Sequence, residues 1–248
     1  MKFDTCLIDG DMLAYVASTS VQKEIDWGDG LWTLHAYLED AQAAFTASIN
    51  YIISSLKNKH NLDITNSKKI YCFSDNHLFR KDINPNYKSN RANTRKPVCY
   101  NALVGWIKHN YDCMTISSCE ADDCISSNMN DHSIIISGDK DFNTVEGYFY
   151  DFKRDILHYT TEQEAMYNTF VQALAGDRID GYFGCPKIGI VTAKKILDKV
   201  ENKTFDGYWD AAKKQFEKAG LTERDLLVNY RMAHLLTDKE VREGVSNN

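Results

Sequence analysis

No stretch of the 248 residues reaches the apolar length that a membrane-spanning helix needs. The N-terminus, Met1-Lys2-Phe3-Asp4, brings an acid before any long apolar region, so no signal peptide is expected. An excess of positive charge is also lacking. With 29 lysines and arginines against 35 acids, the formal net charge of -6 argues against general affinity for nucleic acid. The cysteines do not form an even set: the seven are Cys6, Cys72, Cys99, Cys113, Cys119, Cys124 and Cys185, mostly inside apolar runs. They read as reduced core thiols of a cytoplasmic protein rather than a disulfide framework. Cys119 and Cys124 lack the second ligand pair of a zinc site. The seven histidines show no paired spacing, and there is no internal repeat or low-complexity segment. Trp27, Trp32, Trp106 and Trp209 fit core or helix packing.

What is present is enough apolar material, 43% of residues, to bury a substantial core. Short apolar runs at Asp4–Ile8, Lys69–Ser74, Cys113–Ser117, Ser133–Ser137 and Tyr148–Phe152 read as strands. Between them lie helical patterns from about Asp11 to Ala17, Thr33 to Lys57, Pro97 to Ile107 and Glu120 to Met129. Glu24 to Gly30 reads as a turn. This alternation predicts an α/β fold with a mostly parallel sheet flanked by helices over 1–160. After a capping box at Thr161 and Glu164, which opens a helix to Leu174, residues 161–248 read as all-helical. Thr192–Val200, Phe205–Ala219 and Glu223–Leu236 supply further helices. Between them, Gly176–Gly189 holds four of the 13 glycines and requires tight turns.

Charge is unevenly spread. From Asn76 to Tyr111 there are seven cations, Arg80, Lys81, Lys88, Arg91, Arg95, Lys96 and Lys108, against Asp82 alone, so this segment is +6 and the rest of the chain -12. Such a patch can steer a polyanion even on an acidic protein. Its first half, Asn76–Arg95, has no strong periodicity and is expected to be mobile.

The acids gather where apolar runs end. Asp9 follows Leu7-Ile8, Asp75 follows Cys72-Phe73-Ser74, and Asp139 and Asp141 follow Ile134–Ile136; Glu120, Asp122 and Asp123 head a helix, and Asp177 and Asp180 lie in the glycine-rich stretch. Functional groups in open α/β sheets collect beyond the carboxyl ends of strands. Two carboxylates ~4 Å apart repel by on the order of 4 kcal/mol at an effective dielectric of ~20. A pool of this kind calls for cations, and all-oxygen donors select Mg2+ or Mn2+ over Zn2+. Helix-dipole preference explains any one of Glu120, Asp122 and Asp123, but not nine acids together. Thr144 and Tyr150 at the sixth and twelfth positions, where a calcium loop has glycine and glutamate, argue against an EF-hand starting at Asp139.

The series D-G-D, F-S-D, Y-K-S-N-R, E-A-D-D, S-G-D-K-D and G-D-R-I-D-G-Y-F-G-C-P-K-I-G resembles the 5′ nuclease family of flap endonucleases and 5′-to-3′ exonucleases, especially its phage-encoded members. The resemblance implies a two-metal phosphodiesterase acting on DNA 5′ ends, flaps or single-strand/double-strand junctions, with RNA primers in hybrids as a further substrate. It implies one ion among Asp75, Glu120, Asp122, Asp123 and Asp139 with Asp9 nearby, and another among Asp139, Asp141, Asp177 and Asp180. It places a basic arch at about 76–111, where Lys88 and Arg91 reach the scissile phosphate, Tyr87 stacks a base, and Arg80, Arg95 and Lys96 funnel the backbone. It also implies a helix-three-turn-helix module at about 172–200, where Gly184, Lys187, Ile188, Gly189, Lys194 and Lys195 meet duplex DNA and carbonyls can hold K+. Lys187 stands where the pattern usually has glycine, and Gln172 where it often has lysine. A monomer in the host cytoplasm, with no membrane contact, is the expected setting. Two rivals stand beside this reading: an aspartyl-phosphate phosphatase with Asp9 as nucleophile, and a catalytically silent binder of DNA structures.

Overall fold

The computed structural model describes residues 2–91 and 94–244. In chain order it contains β1 (Thr5–Asp9), α1 (Gly10–Ser20), β2 (Lys23–Asp26), β3 (Trp32–His35), α2 (Leu38–His60), β4 (Lys68–Cys72), α3 (Phe79–Ile83), α4 (Tyr100–Asn110), β5 (Cys113–Met114) and α5 (Ala121–Ser126). There follow β6 (Ser133–Ser137), β7 (Gly147–Asp151), β8 (Ile156–Thr160), α6 (Glu162–Ala175), α7 (Ile190–Leu197), α8 (Phe205–Lys218), α9 (Glu223–Ala233) and α10 (Asp238–Glu243).

Six strands form one sheet in the order β5-β4-β1-β6-β7-β8. All pairings are parallel except that of β7 with β8. The central runs are buried along their length, as Ile134–Ile136 shows, because a parallel sheet is covered on both faces. Helices α1, α2 and α4 cover one face through Leu13, Ala17, Phe45, Ile52, Leu56 and Leu103. Ala121, Cys124 and Ile125 of α5 cover the other, against Leu7, Ile135 and Phe149. Strand order runs outward from β1 through β4 to β5, then returns to β6 on the other side of β1. The direction of winding therefore switches between β1 and β6, which opens a crevice at their carboxyl ends.

Helices α6 to α9 share a second core built on Phe170, Leu174, Leu197, Tyr208, Phe216 and Leu226. Smaller clusters tie it to the sheet region: Tyr87 packs with Ala173, Tyr182 and Met232, and Phe79 with Cys119 and Leu236. The Thr161/Glu164 capping box is present. No described helix is long and apolar enough to cross a membrane.

Several sequence expectations are corrected. Residues 23–35 form an antiparallel hairpin, not a turn followed by a helix, and α2 begins only at Leu38. The helical spacing at Leu34 reflects chance alternation in a strand whose residues are largely exposed. Pro97 lies in the turn before α4 rather than in its first turn. Strand β8 and helix α10 were not anticipated. The described part of 76–95 is folded, with α3 and a short 3-10 turn at Ser89–Arg91; Ala92 and Asn93 lie outside the described residues.

Candidate active site

The crevice between β1 and β6 collects the acids. Asp9 ends β1, is 4% exposed, and has both oxygens occupied: Met12 N donates to Oδ1 at 2.9 Å and Ser137 Oγ to Oδ2 at 2.8 Å. Burial nevertheless pushes its carboxyl up to about 6, with Asp11 and Asp139 adding repulsion. Asp122, in the first turn of α5, is raised well above the carboxylate range by burial and by Asp9 and Asp139. Asp139 begins the 3-10 turn after β6, its Oδ1 accepting from Asp141 N at 3.0 Å. Asp141 is raised to about 6 by burial and by Asp139, Asp177 and Asp180. Asp9, Asp122 and Asp141 are thus each repelled by Asp139, and Asp122 also by Asp9, which makes Asp139 the centre of one repelling group.

Its rim carries cations. Lys88 donates to Glu120 Oε1 and lies 3.7 Å from Asp180 Oδ2, while Arg91 closes on Asp180 Oδ1. Burial pushes the Glu120 carboxyl up, but Lys88 and Arg80 overcome it and hold it below its usual range. Burial likewise pulls the Lys88 ammonium down, and Glu120, Asp180 and Asp122 more than restore it. Asp180 stays raised by burial despite Lys88 and Arg91. Asp177 Oδ1 caps its own turn through Ile179 N at 2.8 Å and Asp180 N at 3.3 Å.

Other sequence-predicted residues have different roles. Arg80 is 1% exposed and holds Asp123 with both arms, Nη1 to Oδ2 at 2.5 Å and Nη2 to Oδ1 at 2.8 Å, while also donating to the His234 carbonyl at 2.7 Å. It is therefore a core cation and not a DNA contact. Asp123, fully buried, also accepts from the amides of Glu120 and Leu236, which leaves no free lone pair for an ion. Asp75 accepts from the amides of Ser118 at 2.8 Å and Asn76 at 2.7 Å, and these hold its carboxyl low. It sits at the edge of the group rather than within it. Tyr87 is 3% exposed and donates to Glu120 Oε2 at 2.7 Å, so its ring is not a base-stacking platform. Arg95 and Lys96 are exposed, with Lys96 4.4 Å above the Tyr100 ring.

In the glycine-rich turn, Gly184 is buried, and its amide donates to Asn229 Oδ1 at 2.9 Å; a Cβ there would stand 2.4 Å from Gly176 N. Ile188 packs into the helical core and spends its amide on the Cys185 carbonyl at 3.1 Å. Neither is poised to bind DNA. Lys187 is exposed and has the left-handed backbone, φ +66, that explains the glycine usual at this position. Gly189 caps α7 with no side-chain partner, so the exposed helix start and Lys187, Lys194 and Lys195 remain available to anions.

Sequence reasoning missed the roles of three side chains that orient the site acids. Ser137 fixes Asp9, Tyr87 fixes Glu120, and Gln172 donates to Asp141 Oδ1 at 2.9 Å. Only the position of Ser137 at the end of an apolar run hinted at this.

Among proteins of known activity, the chain is 26% identical to the exodeoxyribonuclease of phage T3 over 94% of its length and 88% of the relative's. It is 27% identical to the exonuclease of phage T7 over the same shares. Over nearly its whole length the chain is thus similar to phage exonucleases, in keeping with the motifs that resemble the 5′ nuclease family. No family model matches it. The fold of this nuclease agrees with that of the phage T5 5′-exonuclease with bound zinc, at TM-score 0.64, 16% identity, and coverage of 98% of this chain and 92% of the other. A T5 flap endonuclease pseudo-enzyme–product complex with DNA and metal ions aligns at TM-score 0.63 with the same identity and coverage.

The nuclease acids form a hard-oxygen donor set, partly buried and with raised proton affinity, which fits a divalent cation. Among the described residues no three such groups already stand close enough to clasp an ion. Lys88, Arg91 and Arg80 are paired with Glu120, Asp180 and Asp123.

Proposed function

We propose that this chain is a metal-dependent 5′ nuclease that hydrolyses phosphodiester bonds of DNA at 5′ ends, flaps or single-strand/double-strand junctions, with RNA–DNA hybrids as a further substrate. The observation that carries the reading is the repelling group of Asp9, Asp122, Asp139 and Asp141 at the β1/β6 switch, with Lys88 fixed at its rim. Asp9, Asp122, Asp139 and Asp141, with Glu120, Asp177 and Asp180 at the margin, would hold Mg2+ or Mn2+. Such ions, when bound, supply water activation and neutralisation of the leaving oxygen. Lys88 and Arg91 supply positive charge to the phosphate as its own charge develops. The start of α7 with Lys187, Lys194 and Lys195 grips duplex phosphates, and its turn carbonyls are a candidate K+ site. In this reading 1–160 is the catalytic region, 161–248 the duplex-binding region, and the protein works as a monomer in the host cytoplasm.

The phosphatase rival, with Asp9 as nucleophile, needs a small phosphate ester as substrate, and an assay on such an ester separates it from the nuclease. A silent DNA binder would gain nothing from a repelling carboxylate group that destabilises its fold. The deciding experiment incubates the purified protein with a 5′-flap duplex, labelled at each end in turn, with Mg2+ or with EDTA. Mg2+-dependent release of short 5′ fragments or mononucleotides is expected. Binding without cleavage under both Mg2+ and Mn2+ overturns the reading.

A further inference from the structure

We infer that Asn90 is a positioning residue for Lys88 and Arg91, clasping the basic segment to the Asp177–Tyr182 turn; the inference rests on the nuclease reading of the site. Lys88 has a left-handed backbone, φ +52. For a residue other than glycine, asparagine or aspartate, that conformation is strained and persists only where neighbours enforce it. The neighbours here belong to one turn. The Lys88 amide donates to the Asp180 carbonyl at 2.8 Å, and Asn90 Nδ2 donates to the adjacent Ile179 carbonyl at 2.9 Å. Gly181, φ +81, approaches so closely that a Cβ would stand 2.5 Å from the Asn86 carbonyl oxygen. Tyr87 and Tyr182 are buried together beneath the contact.

The turn that presents Asp177 and Asp180 to the crevice therefore also sets the backbone from which Lys88 and Arg91 reach it. Asn90 is exposed, and its amide bonds to a backbone carbonyl rather than to a carboxylate. It acts through its neighbours. Without this bond, among the described residues, the segment leading into the 3-10 turn is held to the opposite loop by the Lys88 amide, by a 3.5 Å bond from Asn84 Nδ2 to the Gly181 carbonyl, and by side chains whose ion pairs DNA and metal would disturb. The clasp keeps both cations in register when Glu120 and Asp180 turn to other partners.

The test compares Asn90→Ala and Asn90→Asp with the wild-type protein, measuring kcat and KM on a 5′-flap duplex with Mg2+ and amide exchange at Lys88 without metal. Asn90→Asp keeps the size and removes the donor, so both variants are expected to behave alike. Displacing a catalytic group by ~1 Å costs up to on the order of 10²-fold, so kcat should fall ~10- to 100-fold. KM should stay within about twofold, because the lost interaction serves the transition state. Added to Lys88→Ala/Arg91→Ala, Asn90→Ala should cost nothing further, since all three act as one unit. The Lys88 amide should exchange faster in either Asn90 variant. Gly181→Ala should reproduce the kcat defect; should it fail to fold, the Asn90 variants still decide. Wild-type kcat in Asn90→Ala, a multiplicative loss in the triple variant, or unchanged Lys88 protection overturns the clasp. If the wild-type protein binds the duplex but never cuts it, the nuclease reading fails, while Lys88 exchange still judges the clasp.

Discussion

Arg80 and Asp123 form a two-armed ion pair in which both side chains are almost wholly buried, at 2.5 and 2.8 Å. Arg80 comes from the basic segment and Asp123 from the acidic helix start, so the pair fastens one to the other. Removing one partner of a buried pair costs ~3–5 kcal/mol because the other charge is left without compensation. Arg80→Ala is therefore expected to lower the melting temperature by ~10 °C or more. Flap-duplex affinity of the protein that remains folded should be unchanged, and a loss of affinity at constant stability would restore Arg80 to the DNA surface.

Tyr87 gives a related prediction. Its hydroxyl donates to Glu120 at 2.7 Å and its ring lies in a buried cluster. Tyr87→Phe removes the donor from a carboxylate, at a cost of ~1–3 kcal/mol, and leaves the ring in place. Single-strand affinity measured by fluorescence anisotropy should match the wild type. A drop in affinity in Tyr87→Leu, after correction for unfolded protein, would mean that the ring reaches a base.

These two residues show where sequence stops being informative. Asp9 and Asp139 were legible because an apolar run that ends in an acid has one place in a parallel sheet, the carboxyl end of a strand. The partners of Arg80 were not, because they lie 40 and 43 positions away and only the tertiary fold brings them together. A cation in a basic stretch reads as surface until its partner is located. The hairpin at 23–35 failed for another reason: its residues are mostly exposed, so no burial pattern distinguishes the strands from a turn and a helix. The helix start at the Thr161 capping box was read to within a residue, whereas α2, which begins at Leu38 after Tyr37 with no side-chain cap, was placed early, and α10 was missed despite its Thr237/Glu240 box.

The raised carboxyls make the metal-free protein sensitive to pH in an unusual direction. Asp9 titrates near 6 in the fold against 3.8 as its ordinary value. A raised folded value means the native state holds its proton more tightly, so this contribution is complete below the ordinary value and is lost as pH rises through about 6. Asp141 acts in the same sense, and Asp9 alone is worth at most on the order of 3 kcal/mol. In EDTA, the melting temperature should be higher at pH ~5.5 than at pH ~7.5. Asp9→Asn should flatten that difference. A metal-free protein whose stability rises through this window would show that these acids are not crowded.

The same crowding makes Asp139 the decisive acid for cleavage. Its charge bears on Asp9, Asp122 and Asp141 alike, and it lies where β6 meets the switch. Asp139→Asn keeps the Oδ1 acceptor for the Asp141 amide, so the 3-10 turn should survive, while one negative charge is removed from the centre of the group. Stability without metal at pH ~7.5 should therefore rise, and the stabilisation gained on adding Mg2+ should shrink. Turnover should fall by at least ~10²-fold, the usual loss for a group that stabilises transition-state charge. Flap-duplex affinity measured in Ca2+ should stay near wild type, since Lys187, Lys194 and Lys195 are untouched. Lys88→Ala separates the two sides of the site: kcat falls by a comparable factor, and binding of Mg2+ tightens because Glu120 loses its competing cation. A Lys88→Ala variant with weaker Mg2+ binding and full turnover would put the lysine among the structural cations with Arg80.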